Sequence, residues 1–388
     1  MIVKYFERFN DVFYMGVAMK ILHLGSHSSP HVVDGVNTTI WLVAREQALL
    51  GHEVTLLLDS PPNEAAKTLA EAVGIKLISI SANNWYYDTK TFKSLLHTDT
   101  PQIVHMHSVF IPTQASFAKN LVQDKIPYVI TPHGGLDSQR SQAKKILYSL
   151  FIEKKRFSQA SAITVVTPKE EKTVRAFVPS YQGKVSWVAN PFDSHKLMNY
   201  KWKGNVEAKK LVFLGRFDVL HKGLDILVKI AQFLPEVEFH LYGNEELKTI
   251  KKLTNLQRNS PPNVYFHKPV FNEEKLQVLA NASLYIQTSR WEGFPVSIVE
   301  AMSLGVPCAV TEMPNFAELF RQHDLGLLLS ANPQVSADRL RAALSQPAML
   351  HNWSKRAEEF ARKQFEPREV ALGYLNVYNS IVFAKNNP

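Results

Sequence analysis

Short β-rich runs alternate with helical stretches along almost the whole chain, and this alternation limits the folds that the sequence can adopt. Five runs precede residue 190: Lys20–Leu24, Glu53–Leu58, Ile103–His107, Tyr128–Thr131 and Ala162–Val166. After a polar segment at 195–210, five more follow: Leu211–Gly215, Val237–Leu241, Val264–His267, Ala282–Thr288 and Pro307–Thr311. Strands separated by helix-length segments are typical of parallel sheets with crossover helices. The sequence therefore predicts an α/β protein with two Rossmann-like domains joined near residue 195.

The break in the pattern sets the predicted domain bounds. We predict an N-terminal domain at 19–194, a C-terminal domain at 195–366 and a final helix at 367–388. The final segment carries more apolar residues than a free tail would, so we expect it to pack back on the N-terminal domain. We interpret residues 1–18 as an extension that need not be ordered, with Met19 as an alternative start. A short amphipathic surface helix is the other interpretation.

Composition excludes several classes of protein. The chain has 388 residues, of which 45% are hydrophobic and 20% charged, enough for two cores. Its single cysteine, Cys308, excludes an internal disulfide framework and is typical of the reducing cytoplasm, where we expect the protein. No charge-free stretch of about 18 apolar residues is present, so no transmembrane helix is predicted. We also expect no nucleic-acid partner, because no recognised binding motif is present.

The net charge of +9 is spread over both halves, with one local concentration. The segment 140–156 holds six basic residues and one acidic residue, with large apolar residues between them. A basic amphipathic helix can lie on an anionic membrane surface, which would place the protein on the inner face of the membrane. The alternative is a core-packed helix with a solvated basic face.

Two carboxylates follow the predicted strand Ala282–Thr288. Glu292 lies in the loop that leaves the strand, and Glu300 lies inside the helix that begins near Pro295. Ligands of doubly wound sheets bind beyond the carboxyl ends of the strands. The pair therefore indicates a site for a ligand with many hydroxyl groups.

Two cations follow the first strand of the C-terminal domain. Arg216 ends that strand, and Lys222 precedes a helix six residues later, so both could bind a diphosphate together with the amides of the helix N-terminus. The alternative is an ordinary connecting loop with two surface cations. Gly35 opens the first helix of the chain, where it would let the backbone approach a phosphate, although the full GxGxxG pattern is absent.

Histidines end two strands of the N-terminal domain. His133 precedes Gly134 and Gly135, which indicate an open backbone near a ligand. His107 could also reach the cleft, but a strand histidine is as readily a hydrogen-bonded core residue. No Asp-x-Asp, His-Glu-x-x-His or cysteine pair is present, so we expect neither a metal nor a cofactor.

Taken together, these motifs resemble glycosyltransferase family 4, whose members are retaining, nucleotide-sugar-dependent enzymes with the GT-B fold. The resemblance extends from Met19 over nearly the whole chain. It rests on nine short segments: Asp34–Gly35 with Gly51–Val54, Val104–His107, Thr131–Asp137, Gly215–Arg216 with Lys222–Asp225, Glu292–Pro295 with Glu300–Met302, and Gly305–Pro307. Two segments depart from the family pattern. Asp34–Gly35 replaces paired glycines, and Asn190–Asp193 replaces the commoner proline-asparagine-glycine turn.

The resemblance implies a role for each candidate residue. Arg216 and Lys222 would bind the donor diphosphate and stabilise its departure, as a metal does elsewhere. Glu300 would accept hydrogen bonds from ribose, and Glu292 from the transferred sugar. The remaining assignments are the donor contacts Gly35, Gly293, Phe294 and Pro295, the catalytic residue His133, and the acceptor contacts His107 and Arg140.

The function implied is transfer of a hexose, with glucose from UDP-glucose as the first choice, to a polysaccharide or a lipid-linked saccharide. This assignment belongs to exopolysaccharide or glycolipid biosynthesis. Two alternatives stay open: another GT-B activity, such as a nucleotide-sugar epimerase or a disaccharide phosphorylase, and a non-catalytic sugar-nucleotide-binding subunit of a polysaccharide assembly complex.

Overall fold

The computed structural model describes residues 18–30, 35–80, 89–136, 152–193, 197, 199–245, 249–312 and 316–383. The predicted N-terminal extension up to residue 17, Arg140 and most of the basic segment 140–156 lie outside these residues. Within them, thirteen strands form two separate sheets, and every strand pair in both sheets is parallel.

The first sheet has seven strands in the order β3-β2-β1-β4-β5-β6-β7. Its strands are β1 Lys20–Ser26, β2 Glu53–Leu58, β3 Lys76–Ser79, β4 Ile103–His107, β5 Tyr128–Thr131, β6 Ala162–Val165 and β7 Lys184–Trp187. The helices among them are α1 Gly35–Leu49, α2 Glu64–Val73, α3 Thr89–Thr98, α4 Pro112–Gln123, α5 Lys154–Ser158 and α6 Glu170–Phe177.

The second sheet has six strands in the order β10-β9-β8-β11-β12-β13. Its strands are β8 Lys210–Leu214, β9 Glu238–Tyr242, β10 Val264–His267, β11 Leu284–Gln287, β12 Cys308–Thr311 and β13 Gly326–Leu329. The helices that follow Lys210 are α7 Leu224–Gln232, α8 Ile250–Arg258, α9 Asn272–Ala280, α10 Val296–Ser303, α11 Ala317–His323, α12 Pro333–Leu344, α13 Pro347–Phe365 and α14 Pro367–Val382.

The inner strands of both sheets are buried on their two faces, as parallel sheets require: every residue of β4, β5, β6 and β11 is buried. Side chains alternate along each strand, so Leu211 and Phe213 pack into one cluster of the second sheet while Val212 and Leu214 pack into the other. The predicted alternation of strands and helices is confirmed.

The last helix, α14, belongs to the core of the first sheet although it ends the chain. Tyr374, Leu375 and Tyr378 are buried in one apolar cluster with Ile21 of β1 and Ile103 of β4. The Tyr378 hydroxyl lies 2.6 Å from His105 Nδ1. The prediction that the final helix crosses back to the N-terminal domain is therefore confirmed.

The strand order places one reversal point in each sheet. In the first sheet the chain winds outward in opposite directions from β1 and β4, and in the second from β8 and β11. The loops after these strands separate there and leave a crevice at the carboxyl edge, which is where open α/β sheets bind ligands. A Cβ added at Gly134 would lie 3.4 Å from Gly293 Cα, so the carboxyl edges of the two sheets meet across one cleft.

Candidate active site

A lysine and a glutamate meet at the reversal point of the second sheet. Lys222 Nζ donates to Glu292 Oε1 over 2.6 Å, and the two side chains are only 13% and 9% exposed. Glu292 Oε1 also accepts from Ser289 Oγ at 2.6 Å and from Gln287 Nε2 at 2.8 Å. Every one of these contacts uses the carboxylate as an acceptor, the role that binding a sugar hydroxyl needs.

The backbone just before α7 packs closely against the segment that follows β11 and is hydrogen-bonded to it. Gly223 has a φ of +61°, and a Cβ added there would collide with the carbonyl oxygen of Thr288. Thr288 Oγ1 in turn donates to the carbonyls of Lys222 and Gly223, at 3.1 and 2.9 Å. Only glycine fits this close approach, which holds Lys222 at a fixed distance from the loop that carries Glu292.

Arg216 lies two residues past the end of β8, after Gly215, and is exposed at the edge of the cleft. A Cβ added at Gly215 would lie 3.6 Å from Lys222 Cε, so the lysine side chain passes beside the backbone that leads into Arg216. Two cations therefore border the crevice, and their contact with a diphosphate stays a prediction. A diphosphate between them would gain two charge-assisted contacts.

The amides at the start of α7 offer less than the sequence predicts. Leu224 N donates to the Val219 carbonyl at 3.1 Å, and Ile226 N and Leu227 N donate to the Gly223 carbonyl at 2.9 and 3.1 Å. Since these amides already have backbone acceptors, an anion bound here would depend more on the side chains of Arg216 and Lys222 than on the amides of the helix N-terminus.

Glu300 is the second predicted carboxylate, and it too is paired with a lysine. Lys275 Nζ in α9 lies 2.5 Å from Glu300 Oε1 in α10, where Glu300 is 12% exposed. Lys275 is not among the residues predicted from the sequence, because nothing in its local pattern indicates that α9 and α10 bring Lys275 and Glu300 together.

The segment Gly293–Pro295 presents its backbone to the cleft. Gly293 is exposed, and a Cβ added there would meet no atom within 4 Å. The Phe294 ring packs edge-on against Phe316 and Phe365, with centroids 6.0 and 5.6 Å apart, so its side chain belongs to the core. Pro295 is buried and its carbonyl accepts from the first turn of α10. Without a side chain, Gly293 lets a ligand approach its backbone closely, whereas Pro295 has no N–H and its carbonyl is already bonded. The donor contacts of Gly293, Phe294 and Pro295 stay predictions.

His133 occupies the opposite wall of the cleft in a left-handed conformation, with a φ of +52°. Its Nε2 lies 2.9 Å from His107 Nδ1 and its Nδ1 lies 3.1 Å from Asn190 Oδ1. The next residue, Gly134, donates its amide to buried Glu170 at 2.6 Å. A non-glycine residue in this conformation is held by its surroundings, a common feature of functional loops.

Three buried histidines lie behind His133. His23 of β1 and His105 and His107 of β4 are fully buried, with ring nitrogens within 4.8 Å of one another. All six ring nitrogens have side-chain hydrogen-bond partners. His23 bonds to His107 and Gln47, His105 bonds to Thr131 and Tyr378, and His107 bonds to His23 and His133. The cluster is thus satisfied by hydrogen bonds, and an ion would have to break several of them.

Burial also determines the charge of these three rings. It lowers the pKa of His23 to about 4, and it lowers the pKa values of His105 and His107 well below the usual range for histidine. All three are therefore neutral at pH 7. His107, predicted as an acceptor contact, is 0% exposed and reaches the cleft only through His133. The core-residue interpretation of His107 matches this position, and its acceptor role stays a prediction.

Comparison with known proteins identifies the family to which the chain belongs. The family model described as Glycosyltransferase Family 4 matches residues 33–196, and the model described as Glycosyl transferases group 1 matches residues 199–360. The chain belongs to glycosyltransferase family 4. The match places one model on each of the two sheets, so the predicted family and enzyme class are confirmed.

Relatives of this glycosyltransferase align over nearly their full length. An uncharacterised 41.2 kDa protein in the cps region of Klebsiella pneumoniae is 26% identical, covering 91% of this chain and 99% of the relative. The phosphatidyl-myo-inositol mannosyltransferase of Mycobacterium tuberculosis is 22% identical, covering 90% and 94%. The structure of Anabaena HepE in complex with UDP-glucose matches with a TM-score of 0.65 at 18% identity, covering 93% and 100%. The fold is GT-B, as predicted.

Two predicted features of the glycosyltransferase fall partly or wholly outside the described residues. Gly35 begins α1, and a Cβ added there would meet no atom within 4 Å, but the residues just before it are not described. Its contact with a phosphate stays a prediction. Arg140 is not described, and its acceptor role also stays a prediction.

One residue of the basic segment contradicts the expected solvated face. Arg156 is buried and pairs with buried Glu153 at 2.5 Å, and it also donates to Gln114 Oε1 at 2.8 Å. One of the six basic residues therefore contributes no charge to a surface, because its charge is balanced inside the domain. None of the helices described has the length and apolar character needed to span a bilayer.

Proposed function

We propose that this glycosyltransferase transfers a hexose from a nucleotide sugar to a saccharide acceptor with retention of configuration and without a metal ion. The observation that carries the proposal is the contact of Lys222 with Glu292 beside Arg216. It joins a cationic group suited to a diphosphate with a carboxylate suited to sugar hydroxyls at one reversal point.

Donor binding would exchange partners within this group. Lys222 would move its hydrogen bond from Glu292 to the diphosphate, and Glu292 would then accept from hydroxyls of the sugar. Both cations would stabilise the charge that develops on the leaving diphosphate, which is the effect that preorganised cations have in phosphate chemistry. Glu300 would accept from the ribose hydroxyls at the expense of its bond to Lys275.

The acceptor hydroxyl would attack from the face that the diphosphate leaves, and a phosphate oxygen would take its proton. The new glycosidic bond forms as the bond between the sugar and the diphosphate breaks, so neither carboxylate is needed as a covalent nucleophile. His133 contacts the donor from the opposite wall, and turnover therefore depends on the cleft being closed.

UDP-glucose is the first choice of donor, and it is supported by the likeness to HepE, which was solved with that nucleotide sugar. A mannose donor is the second candidate, because one relative is named a mannosyltransferase. Since phosphatidyl-myo-inositol is a lipid, the name of that relative also supports a lipid-linked acceptor.

Contact with an anionic membrane through segment 140–156 remains part of the proposal. Sedimentation with anionic and with neutral vesicles would test it. Equal binding to both kinds of vesicle would contradict an electrostatic contact with the membrane.

A donor panel tests the function directly. Purified protein is incubated with UDP-glucose, UDP-galactose, UDP-N-acetylglucosamine and GDP-mannose in EDTA, with and without a saccharide acceptor. We expect release of the nucleoside diphosphate from one donor, and loss of that release in Glu292→Ala. If none of the nucleotide sugars is turned over, the assignment as an enzyme is wrong. If a nucleotide sugar is converted to another one without any acceptor, the protein is an epimerase instead.

A further inference from the structure

A row of hydrogen bonds runs from the core of the first domain to the cleft. Gln47 Oε1 lies 2.8 Å from His23 Nε2, and His23 Nδ1 lies 3.1 Å from His107 Nε2. His107 Nδ1 lies 2.9 Å from His133 Nε2, and His133 Nδ1 lies 3.1 Å from Asn190 Oδ1. The row therefore joins three imidazole rings through four hydrogen bonds.

The number of protons in this row does not match the number of bonds. A neutral imidazole carries one N–H, so three neutral rings supply three protons. Each of the four hydrogen bonds needs one proton, and the amide oxygens that face the rings at both ends can only accept. With the Gln47 and Asn190 amides in these orientations, all four bonds form only when one of the rings carries a second proton. Gln47 Nε2 has no hydrogen-bond partner in this orientation and would supply the fourth proton if the amide were rotated, so an experiment has to separate the two arrangements.

Position decides which ring is charged. His23 and His107 are fully buried, and burial lowers the pKa of each well below its usual range. A charge on His133 lowers the pKa of His107 further. His133 is the half-buried ring that borders the cleft, so water and ligands can stabilise a charge there.

We propose that His23, His107 and Asn190 are positioning residues that hold His133 doubly protonated, as an imidazolium at the wall of the cleft. Both nitrogens of His133 then donate, Nε2 to His107 and Nδ1 to Asn190. The functional part of the inference rests on the proposed function: the imidazolium adds a positive charge opposite Arg216 and Lys222, where the leaving diphosphate gains negative charge.

Several titratable groups face His133 from the elements packed around it. His105 and His107 lie on β4 and His23 on β1, and all three are neutral at pH 7. Glu170 at the start of α6 binds the Gly134 amide and the Val166 amide, at 2.6 and 2.9 Å. Across the cleft, Glu292 follows β11. The Glu170 carboxylate favours the charged form of His133, whereas Lys222 balances the charge of Glu292, and the neutral rings do not oppose the charged form. Arg216 and Lys222 on the opposite wall oppose it, and a diphosphate bound between them would remove that opposition.

Nitrogen NMR of histidine-labelled protein tests the proposal without any turnover. At pH 7 we expect two protonated nitrogens on His133, and a proton on Nε2 alone for both His23 and His107. His133→Gln assigns the signal. A neutral His133 would overturn the proposal. In that case a proton on Nδ1 alone in all three rings would show that the Gln47 amide is rotated, whereas a proton on Nε2 alone would show that the Asn190 amide is rotated.

A matched pair of variants tests the positioning role. His107→Phe and His105→Phe alter buried rings two residues apart on β4, but only the first removes the acceptor for His133 Nε2. In His107→Phe the pH at which half of His133 is protonated should fall by about one unit, the value of one charge-assisted hydrogen bond. His105→Phe should leave it within about 0.3 unit, well inside that effect.

His107→Asn keeps the test decisive if the phenylalanine variants fold poorly, because its side chain still offers an acceptor near the Nδ1 position. It should restore most of the lost shift. Equal midpoints in His107→Phe and His107→Asn would overturn the positioning role. If the donor panel shows turnover, kcat should fall as pH rises through the same midpoint; if it shows none, the NMR result still stands, so the two failures can be told apart.

Discussion

Lys222 and Glu292 lie 70 residues apart in the chain and form a hydrogen bond of 2.6 Å at the reversal point of the second sheet. The ammonium and the carboxylate balance each other's charge, so a nucleotide sugar bound here would have to replace this contact with two others. The contact between Lys275 and Glu300 is similar, and ribose hydroxyls would have to replace it in the same way.

Replacing Glu292 should separate the binding of the nucleotide from the binding of the sugar. Glu292→Gln removes the counter-charge of Lys222 but keeps an acceptor oxygen. We expect turnover to fall about 100-fold, comparable to the loss of one preorganised electrostatic contact. Affinity for the nucleoside diphosphate alone should stay equal or rise. Calorimetry and steady-state kinetics measure the two effects, and Glu312→Gln, at an exposed ion pair with Arg321, is the control. Unchanged turnover in Glu292→Gln would contradict the assignment.

Glu300 should distinguish ribose from deoxyribose. In the wild type we expect a nucleotide to bind more tightly than its 2′,3′-dideoxy analogue, because a carboxylate accepts strong hydrogen bonds from hydroxyls. Glu300→Ala should weaken the ribonucleotide by about tenfold or more and leave the analogue nearly unaffected. Competition binding measures both affinities. Equal weakening of the two nucleotides would show that Glu300 acts through the structure instead, and Lys275→Ala should not abolish the discrimination.

The buried histidines should make the N-terminal domain sensitive to acid. The folded pKa of His23 is about 4, below the value near 6.5 that an unfolded histidine has. The unfolded state therefore binds the proton first, and stability that is present above pH 6.5 is lost as pH falls towards 4. His23 alone accounts for about 3 kcal/mol of this loss. Urea unfolding from pH 7.5 to 4.5 measures it.

The matched comparison for this effect uses one buried and one exposed histidine. His23→Gln should be less stable at pH 7.5 but should lose less stability on acidification than the wild type. His97→Gln, at an exposed position of α3, should follow the wild-type pH dependence. Stability that is flat from pH 7.5 to 4.5 in the wild type would contradict the neutral, buried state of the cluster.

The buried pair of Arg156 and Glu153 should contribute far more to stability than a surface pair. Arg156→Met leaves Glu153 buried without its counter-charge, so we expect a loss of about 3–5 kcal/mol in the free energy of unfolding. Arg175→Met removes an exposed pair with Glu171, and the loss should stay below about 0.5 kcal/mol. Denaturant unfolding compares the two. Similar losses in both variants would mean that the buried pair stabilises the fold no more than an exposed pair does.

The sequence predicts what is local in this molecule. Strand and helix positions follow from hydrophobic periodicity, so periodicity alone places Glu292 in a loop after a strand and Glu300 in the next helix. Arg216 and Lys222 are placed by the same reasoning, since each adjoins a predicted element.

The contacts that the sequence does not reveal join distant segments. His23 and His107 are 84 residues apart and meet only because β1 pairs with β4, a choice of strand order that periodicity does not encode. In the sequence Asn190 is only a departure from the family turn, yet it lies 3.1 Å from His133. From the sequence, Arg156 belongs to a run of basic residues expected at the surface, but in the fold it is buried and the carboxylate of Glu153 balances its charge.

The most direct test of the central claim is proton NMR of the sugar product, recorded while the wild type turns over its donor in EDTA. We expect an α-linked product from an α-linked nucleotide sugar. Lys222→Met, run in parallel, should lose nearly all turnover, whereas Lys229→Met, at an exposed position later in α7, should retain it. A β-linked product, a strict requirement for added metal, or full activity in Lys222→Met would contradict the account.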